Sequence, residues 1–165
     1  TGGNVKVTAY GSGSETCKVQ GWGPSGANIR AVVRCFSTTG APVDTRFTLT
    51  YAKSLGITGI PGTKAGYVLA DQPANPSYTP LASHQFNFLG GSNTVTRSAV
   101  GQYTVNMPSL AAISGNVQVN SVGINSRECK VAYWVPSGPD LSIGVRCFTT
   151  GGAPADSKFV ATFTR

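Results

Sequence analysis

Charge is scarce in this chain. Only 12% of its 165 residues are charged, and it contains one histidine, one methionine and two tryptophans. So few charges fit poorly with exposed helices, which draw on long charged side chains and their i,i+4 pairs. No apolar pattern keeps helical spacing through three turns, and the nearest candidate, Leu110 to Ile113, is too short. No apolar run approaches the roughly 20 residues of a membrane-spanning helix, so no membrane insertion is expected. No charged-then-apolar segment opens the chain, so any export signal is expected to have been removed.

Catalytic parts are also missing. A Ser-His-Asp hydrolase needs a histidine beside a nucleophile elbow, and no Gly-x-Ser-x-Gly segment accompanies His84. His84 therefore reads as a strand-edge residue rather than a general base. The cysteines form no CxxC cluster with histidine, which argues against zinc, and the turns offer too few oxygens for calcium. Gly11, Gly13 and Gly40 lack the strand-to-helix setting of a phosphate loop. Neither a catalytic residue nor a cofactor nor a metal is expected, and the chain is read as not an enzyme. The 13 basic residues give a net charge of +7 but never form a run, and no RNP-type aromatic motif occurs. Specific nucleic-acid binding is excluded on that ground; the charge favours solubility and loose attraction to anionic surfaces.

What is abundant is glycine, serine, threonine, asparagine and valine, the composition of short strands joined by many turns. Residues 1–53 align with 113–165 without a gap at a constant offset of 112. Gly3-Asn4-Val5 returns as Gly115-Asn116-Val117, and Val33-Arg34-Cys35-Phe36 as Val145-Arg146-Cys147-Phe148. Gly40-Ala41-Pro42, Asp44 and Phe47 return as Gly152-Ala153-Pro154, Asp156 and Phe159. Duplication accounts for this. Each copy reads as four strands, near 4–10, 17–23, 30–36 and 46–52, then near 116–122, 129–135, 141–148 and 158–164. Residues 54–64 read as a Gly/Pro linker, and 65–112 as a cysteine-free stretch with strands near 67–71, 85–88, 94–98 and 102–107. The organisation expected is a cysteine-bearing half-unit over 1–53 and a full unit over 65–165, about one and a half units of a 112-residue repeat.

The four cysteines fall at two identical intervals, Cys17 to Cys35 and Cys129 to Cys147. Four cysteines allow three pairings; the symmetry of the spacing favours Cys17–Cys35 and Cys129–Cys147. Disulfides imply an oxidising compartment, hence a secreted or cell-surface protein.

A simple hairpin centred on Gly26 sets Cys17 opposite Cys35 and Val19 opposite Val33, making the cysteine face core. The opposite face then carries Lys18, Trp22, Arg30 and Arg34 in the first copy and Lys130, Trp134, Ser142 and Arg146 in the second. A lysine directly across from an arginine is mildly destabilising, so its presence in both copies wants a reason. Two readings stand. In one, Lys18, Trp22, Arg34, Lys130, Trp134 and Arg146 form a tryptophan platform flanked by cations, suited to a glycan or an anionic polymer. In the other, the tryptophans pack under neighbouring structure and the cations pair with Asp44 or Asp156. Those two acids, alone among six, match between copies and read as turn-capping groups or partners of Arg46 and Lys158.

Tyr67-Val68-Leu69-Ala70-Asp71-Gln72-Pro73 followed by Ser77-Tyr78-Thr79-Pro80, with Asn93-Thr94-Val95-Thr96-Arg97, Gly101-Gln102-Tyr103-Thr104-Val105 and the Gly-Ala-Pro-x-Asp-x-x-Phe block, resembles tandem all-β modules of secreted bacterial proteins. That family is functionally uncharacterised, so the resemblance implies extracellular location and tandem use, and no chemistry. The fold class expected is all-β, antiparallel β-sandwich repeats stapled by disulfides. The function expected is an extracellular structural or adhesive module that self-associates as a dimer or filament. A carbohydrate-binding module is the rival, and a protease inhibitor presenting residues 72–80 as a rigid loop is a third reading.

Overall fold

Thirteen β-strands and a single 3-10 turn form the regular structure of residues 2–53 and 64–165, the residues that the structure, a computed structural model, describes. The first segment supplies β1 (Asn4–Tyr10), β2 (Thr16–Ser25), β3 (Asn28–Phe36) and β4 (Arg46–Ala52). The middle stretch supplies β5 (Ala65–Ala70), β6 (Ser77–Tyr78), β7 (Gln85–Asn87), β8 (Thr94–Ala99) and β9 (Gln102–Met107). The last segment supplies β10 (Asn116–Val122), β11 (Glu128–Ser137), β12 (Asp140–Phe148) and β13 (Lys158–Thr164). These strands lie where alternation and turn residues place them. The short β6 and the 3-10 turn at Ala82–His84 escaped, because between Pro76 and Pro80 too few residues remain for any period to show. The stretch read as a linker falls, apart from Lys64, outside the described residues. Among the described residues no helix is long and apolar enough to cross a membrane.

Sandwich packing implied a pair of antiparallel sheets; the described residues form three. β1 and β4 make a two-stranded sheet, β3-β2-β10-β13-β5-β7 a six-stranded one, and β11-β12-β9-β8-β6 a five-stranded one. The six-stranded sheet is mixed, because β2 meets β10 in parallel through Val19 and Val122. Val19 and Val122 are both buried there, and Gly123 donates its N–H to the Val19 carbonyl at 2.9 Å. An edge strand gains partners for its backbone in this way, and the β2–β3 hairpin ends up extending the last segment's sheet.

The pairings of the two aligned segments coincide position by position. β1 runs against β4 from Asn4↔Ala52 to Tyr10↔Arg46, and β10 against β13 from Asn116↔Thr164 to Val122↔Lys158. Both cysteine hairpins close through a two-residue loop between paired residues, Ser25↔Asn28 and Ser137↔Asp140. Its first residue, Gly26 or Gly138, has φ +60, the left-handed value that glycine adopts freely and that a tight hairpin with right-handed strand twist requires. The disulfides join directly opposed residues, Cys17 to Cys35 and Cys129 to Cys147, with Cα separations of 4.1 and 4.0 Å. Each closes a loop of the same length, which in the chain-entropy model stabilises by about 3 kcal/mol.

Two apolar clusters result. The larger draws Val68 and Phe159, Ala161 and Phe163 from the six-stranded sheet and Val95, Val105, Ile143 and Val145 from the five-stranded sheet. The smaller holds Val5, Val7, Cys17 and Val19, with half-buried Trp22, Ala31, Val33 and Tyr51 against it.

Candidate interaction surface

Asp156 organises one end of the larger cluster. It sits in the turn after β12, where Thr149 and Ala155 donate N–H groups to the Ala153 and Cys147 carbonyls at 2.8 and 3.0 Å. Its carboxylate accepts two hydrogen bonds from the Arg97 guanidinium, at 2.9 and 2.8 Å, one from the Gly101 N–H at 2.8 Å and one from the Tyr103 hydroxyl at 2.9 Å. The bidentate Arg97 fork, then the Gly101 amide and Tyr103 hydroxyl, favour the ionised form and hold the carboxyl down at about 2, against an opposing push from partial burial. Gly101 has φ +66, and a Cβ there would run into the Cys147 carbonyl, so only glycine brings its amide to this acid. The expected partner, Lys158, is not used. Lys158 follows two residues later in β13 and is exposed, while Arg97 comes across from β8.

Asp44 holds the aligned position in the first segment. Its turn is built in the same way: Ser37 and Val43 donate N–H groups to the Ala41 and Cys35 carbonyls at 2.9 and 3.1 Å. Yet Asp44 is exposed and, among the described residues, has no hydrogen-bond or ion-pair partner. Arg46 does not pair with it but lies over the Tyr10 ring, 5.2 Å from the centroid. All three partners of the Asp156 carboxylate come from residues 94–107, and none of the described residues plays that part for Asp44. A groove of about 420 Å³, lined by Val33, Cys35, Phe36, Val43 and Asp44 among others, lies open there.

Strand edges differ in the same sense. β13 carries β5 on its outer edge and β12 carries β9, whereas β4 and β3 end their sheets. Phe159 and Ala161 are 0% exposed, but Phe47 and Leu49, aligned with them, are 45% and 42% exposed. Leu141 is likewise fully buried where Ile29 is 44% exposed.

The structure divides the six residues of the cation–tryptophan surface. A register shift between Val19 and Gly21 breaks the simple hairpin, setting Gly21 opposite Val32 and Trp22 opposite Ala31. That bulge turns Trp22 onto the cysteine face, where it packs against the smaller cluster. Lys18 is not a surface cation either. It is 4% exposed, and its ammonium donates to the Arg127 carbonyl at 2.7 Å and to Asn125 Oδ1 at 3.2 Å. Burial, partly offset by Glu128, lowers it to about 8. Arg34 turns to Gln20 Oε1 at 2.6 Å, so the opposed Lys18 and Arg34 diverge to separate acceptors. In the last segment the same shift lies between Val131 and Tyr133. Trp134 stays 41% exposed because β11 is an edge strand; Lys130 sits 5.5 Å from the Phe148 ring centroid, and half-buried Arg146 donates to the Val145 carbonyl at 3.3 Å. Neither acid is paired with these cations.

Sequence reasoning missed Lys6, which is 7% exposed and donates to Gln118 Oε1 at 3.0 Å. Desolvation by burial lowers it to about 7. The offset of 112 was a usable signal, since Gln118 is the residue aligned with Lys6. His84 ends the 3-10 turn with Nδ1 3.2 Å from Asp71 Oδ2, at the border of a cleft of about 870 Å³ that Trp22 and Ser157 also line. Among the described residues no hydroxyl hydrogen-bonds to His84 Nδ1. No group of three or more histidine, cysteine or acidic side chains among them is arranged to hold a metal. Residues 72–80 are tied down: Asn75 Nδ2 donates to Gln72 Oε1 at 2.9 Å, and Ser77 and Tyr78 pair with β8.

Compared with known proteins, the chain matches no protein-family model, no curated protein and no solved structure.

Proposed function

We propose that this chain is a non-enzymatic, exported structural or adhesive module that works through contacts with other chains, built of β-sandwich units of which residues 1–53 form a half. The observation that carries this reading is the first segment's pair of open strand edges, β3 and β4, beside Phe47, Leu49 and Ile29, each more than two-fifths exposed. Open edges with apolar neighbours recruit strands, and monomers seldom leave them bare. β11 ends the five-stranded sheet and aligns with β2, the strand that meets β10 inside the chain. Repeated head-to-tail between chains, such a contact builds a filament, or a ring where its rotation closes, rather than a two-fold dimer. Two disulfides fit an oxidising compartment. Light scattering and negative-stain microscopy of the purified chain test the reading. Mass that grows with concentration, with elongated particles, is expected; a monodisperse monomer at high micromolar concentration, unchanged by salt, would overturn it.

Glycan binding keeps one specific support, the exposed Trp134 beside Tyr133, which is 40% exposed on the same edge strand. Saturable glycan binding abolished by Trp134→Ala in a folded chain would favour that reading instead.

A further inference from the structure

The middle stretch, residues 65–112, does for the last segment what no described residue does for the first. It lays β5 along β13 and β9 along β12, and it delivers Arg97, Gly101 and Tyr103 to Asp156. The first segment holds the receiving half of each contact. β4 has the register of β13, β3 has that of β12, and Asp44 stands in a turn closed by the same backbone hydrogen bonds as the turn of Asp156. One stretch cannot serve two receivers, and it is engaged with the last segment.

We propose that the open edges of β3 and β4, with Asp44 between them, form a strand-acceptor site for a second polypeptide segment of the 65–112 type. Such a segment carries an arginine, a glycine four residues on and a tyrosine two further, the pattern of Arg97, Gly101 and Tyr103. This deepens the proposed intermolecular role and rests on it. The pairing follows from the last segment by the offset of 112. Val145 opposes Tyr103, Ile143 opposes Val105 and Leu141 opposes Met107, so the incoming strand sets its tyrosine against Val33, its valine against Ala31 and its methionine against Ile29. Phe159 opposes Ala70, so Phe47 receives the end of the β5-type strand. Main-chain hydrogen bonds supply affinity in such strand addition, and alternate side chains filling pockets supply selectivity. The groove of about 420 Å³ beside Asp44 takes the glycine turn, where a larger residue is refused as it is at Gly101. Charge agrees as well: an unpaired carboxylate awaits a guanidinium, and a bidentate pair fixes register as well as strength.

The test uses the full chain, diluted until monomeric, and two probes added in trans: a peptide of residues 94–107 of this sequence, and the whole 65–112 stretch. One probe per chain is expected, with new amide-exchange protection on β3 for either probe and on β4 for the 65–112 probe alone. Asp44→Asn is expected to weaken binding by about tenfold or more, as loss of a charge-assisted pair does, and an Arg97→Ala probe to lose the same factor. Asp156→Asn in the chain is expected to leave probe affinity unchanged. Absence of saturable binding by both probes overturns the proposal, as does binding indifferent to Asp44→Asn or protection that appears on β12 and β13, which would signal exchange at the occupied site. Oligomers that ignore the probes would sink this inference alone; probe binding by a chain that never oligomerises would sink self-association alone.

Discussion

Residues 1–53 and 113–165 put nearly the same pattern of residues into nearly the same strands, and the outcome differs at the core positions that the middle stretch covers. Phe159 is sealed and Phe47 is not; Asp156 has four donors and Asp44, among the described residues, none. The difference teaches that burial here belongs to the pairing of segments and not to the segment itself. A strand of this kind carries an apolar face and two hydrogen-bonding edges, and its own hairpin partner satisfies only one edge. The disulfide holds each hairpin in register whether or not the rest arrives, so the first segment keeps its shape with its surface unfilled.

Truncating matched residues should break the symmetry most visibly. Phe159→Ala removes a fully buried ring and is expected to cost about 3–5 kcal/mol. Phe47→Ala, at 45% exposure, should cost less than about 1 kcal/mol. Denaturant unfolding of both variants checks this, and equal losses would mean that Phe47 is already covered by another chain. The acids come next. Asp156→Asn should destabilise by roughly 2 kcal/mol at neutral pH, and Asp44→Asn by no more than about 0.5 kcal/mol. The sign with pH follows from the depressed carboxyl. Held near 2 when folded and higher when unfolded, Asp156 stabilises the fold fully above its unfolded value and ceases to as pH falls through about 2. Asp156→Asn should therefore flatten the acid limb of a melting-temperature profile, and Asp44→Asn should leave it as it is.

How much of this was legible beforehand depends on which physical signal carried it. Strand positions were legible because alternation and turn residues are local. The disulfides were legible because two identical intervals fall in aligned positions. The parallel junction of β2 with β10 was not, since a single bridge at Val19 and Val122 leaves no pattern in either strand. Trp22 was assigned to the wrong face because one residue of bulge inverts every side chain beyond it; the local sign was Gly21, a glycine inside a strand, which the aligned Tyr133 does not repeat. Asp156 was seen as a recurring turn acid, but its partner Arg97 lies 59 residues away in an unrelated stretch. Proximity in sequence pointed to Lys158 instead. The offset of 112 made it legible that β3 and β4 carry the same receiving edges as β12 and β13.

The one substitution expected to stabilise concerns Lys6 and Gln118, aligned residues that touch each other. Lys6 buries an ammonium against one amide oxygen, and desolvation takes it from 10.5 to about 7. Between those values the unfolded chain binds a proton that the folded chain does not, so stability rises with pH across that window and the full penalty is felt below about 7. Lys18, lowered to about 8, acts in the same direction. Tyr78, raised by burial to about 12, opposes them only above its ordinary value of 10.0, which leaves neutral to mildly alkaline pH as the clean interval. Lys6→Gln, which places at position 6 the residue found at 118, should raise stability near neutral pH by about 1 kcal/mol, or about 2–4 °C in melting temperature. The gain should shrink by about pH 9, because the wild-type lysine is then mostly neutral in the folded state. A gain that stayed constant with pH would show that side-chain packing, rather than the buried charge, separates the two residues. A loss would show that the hydrogen bond to Gln118 outweighs the cost of burial.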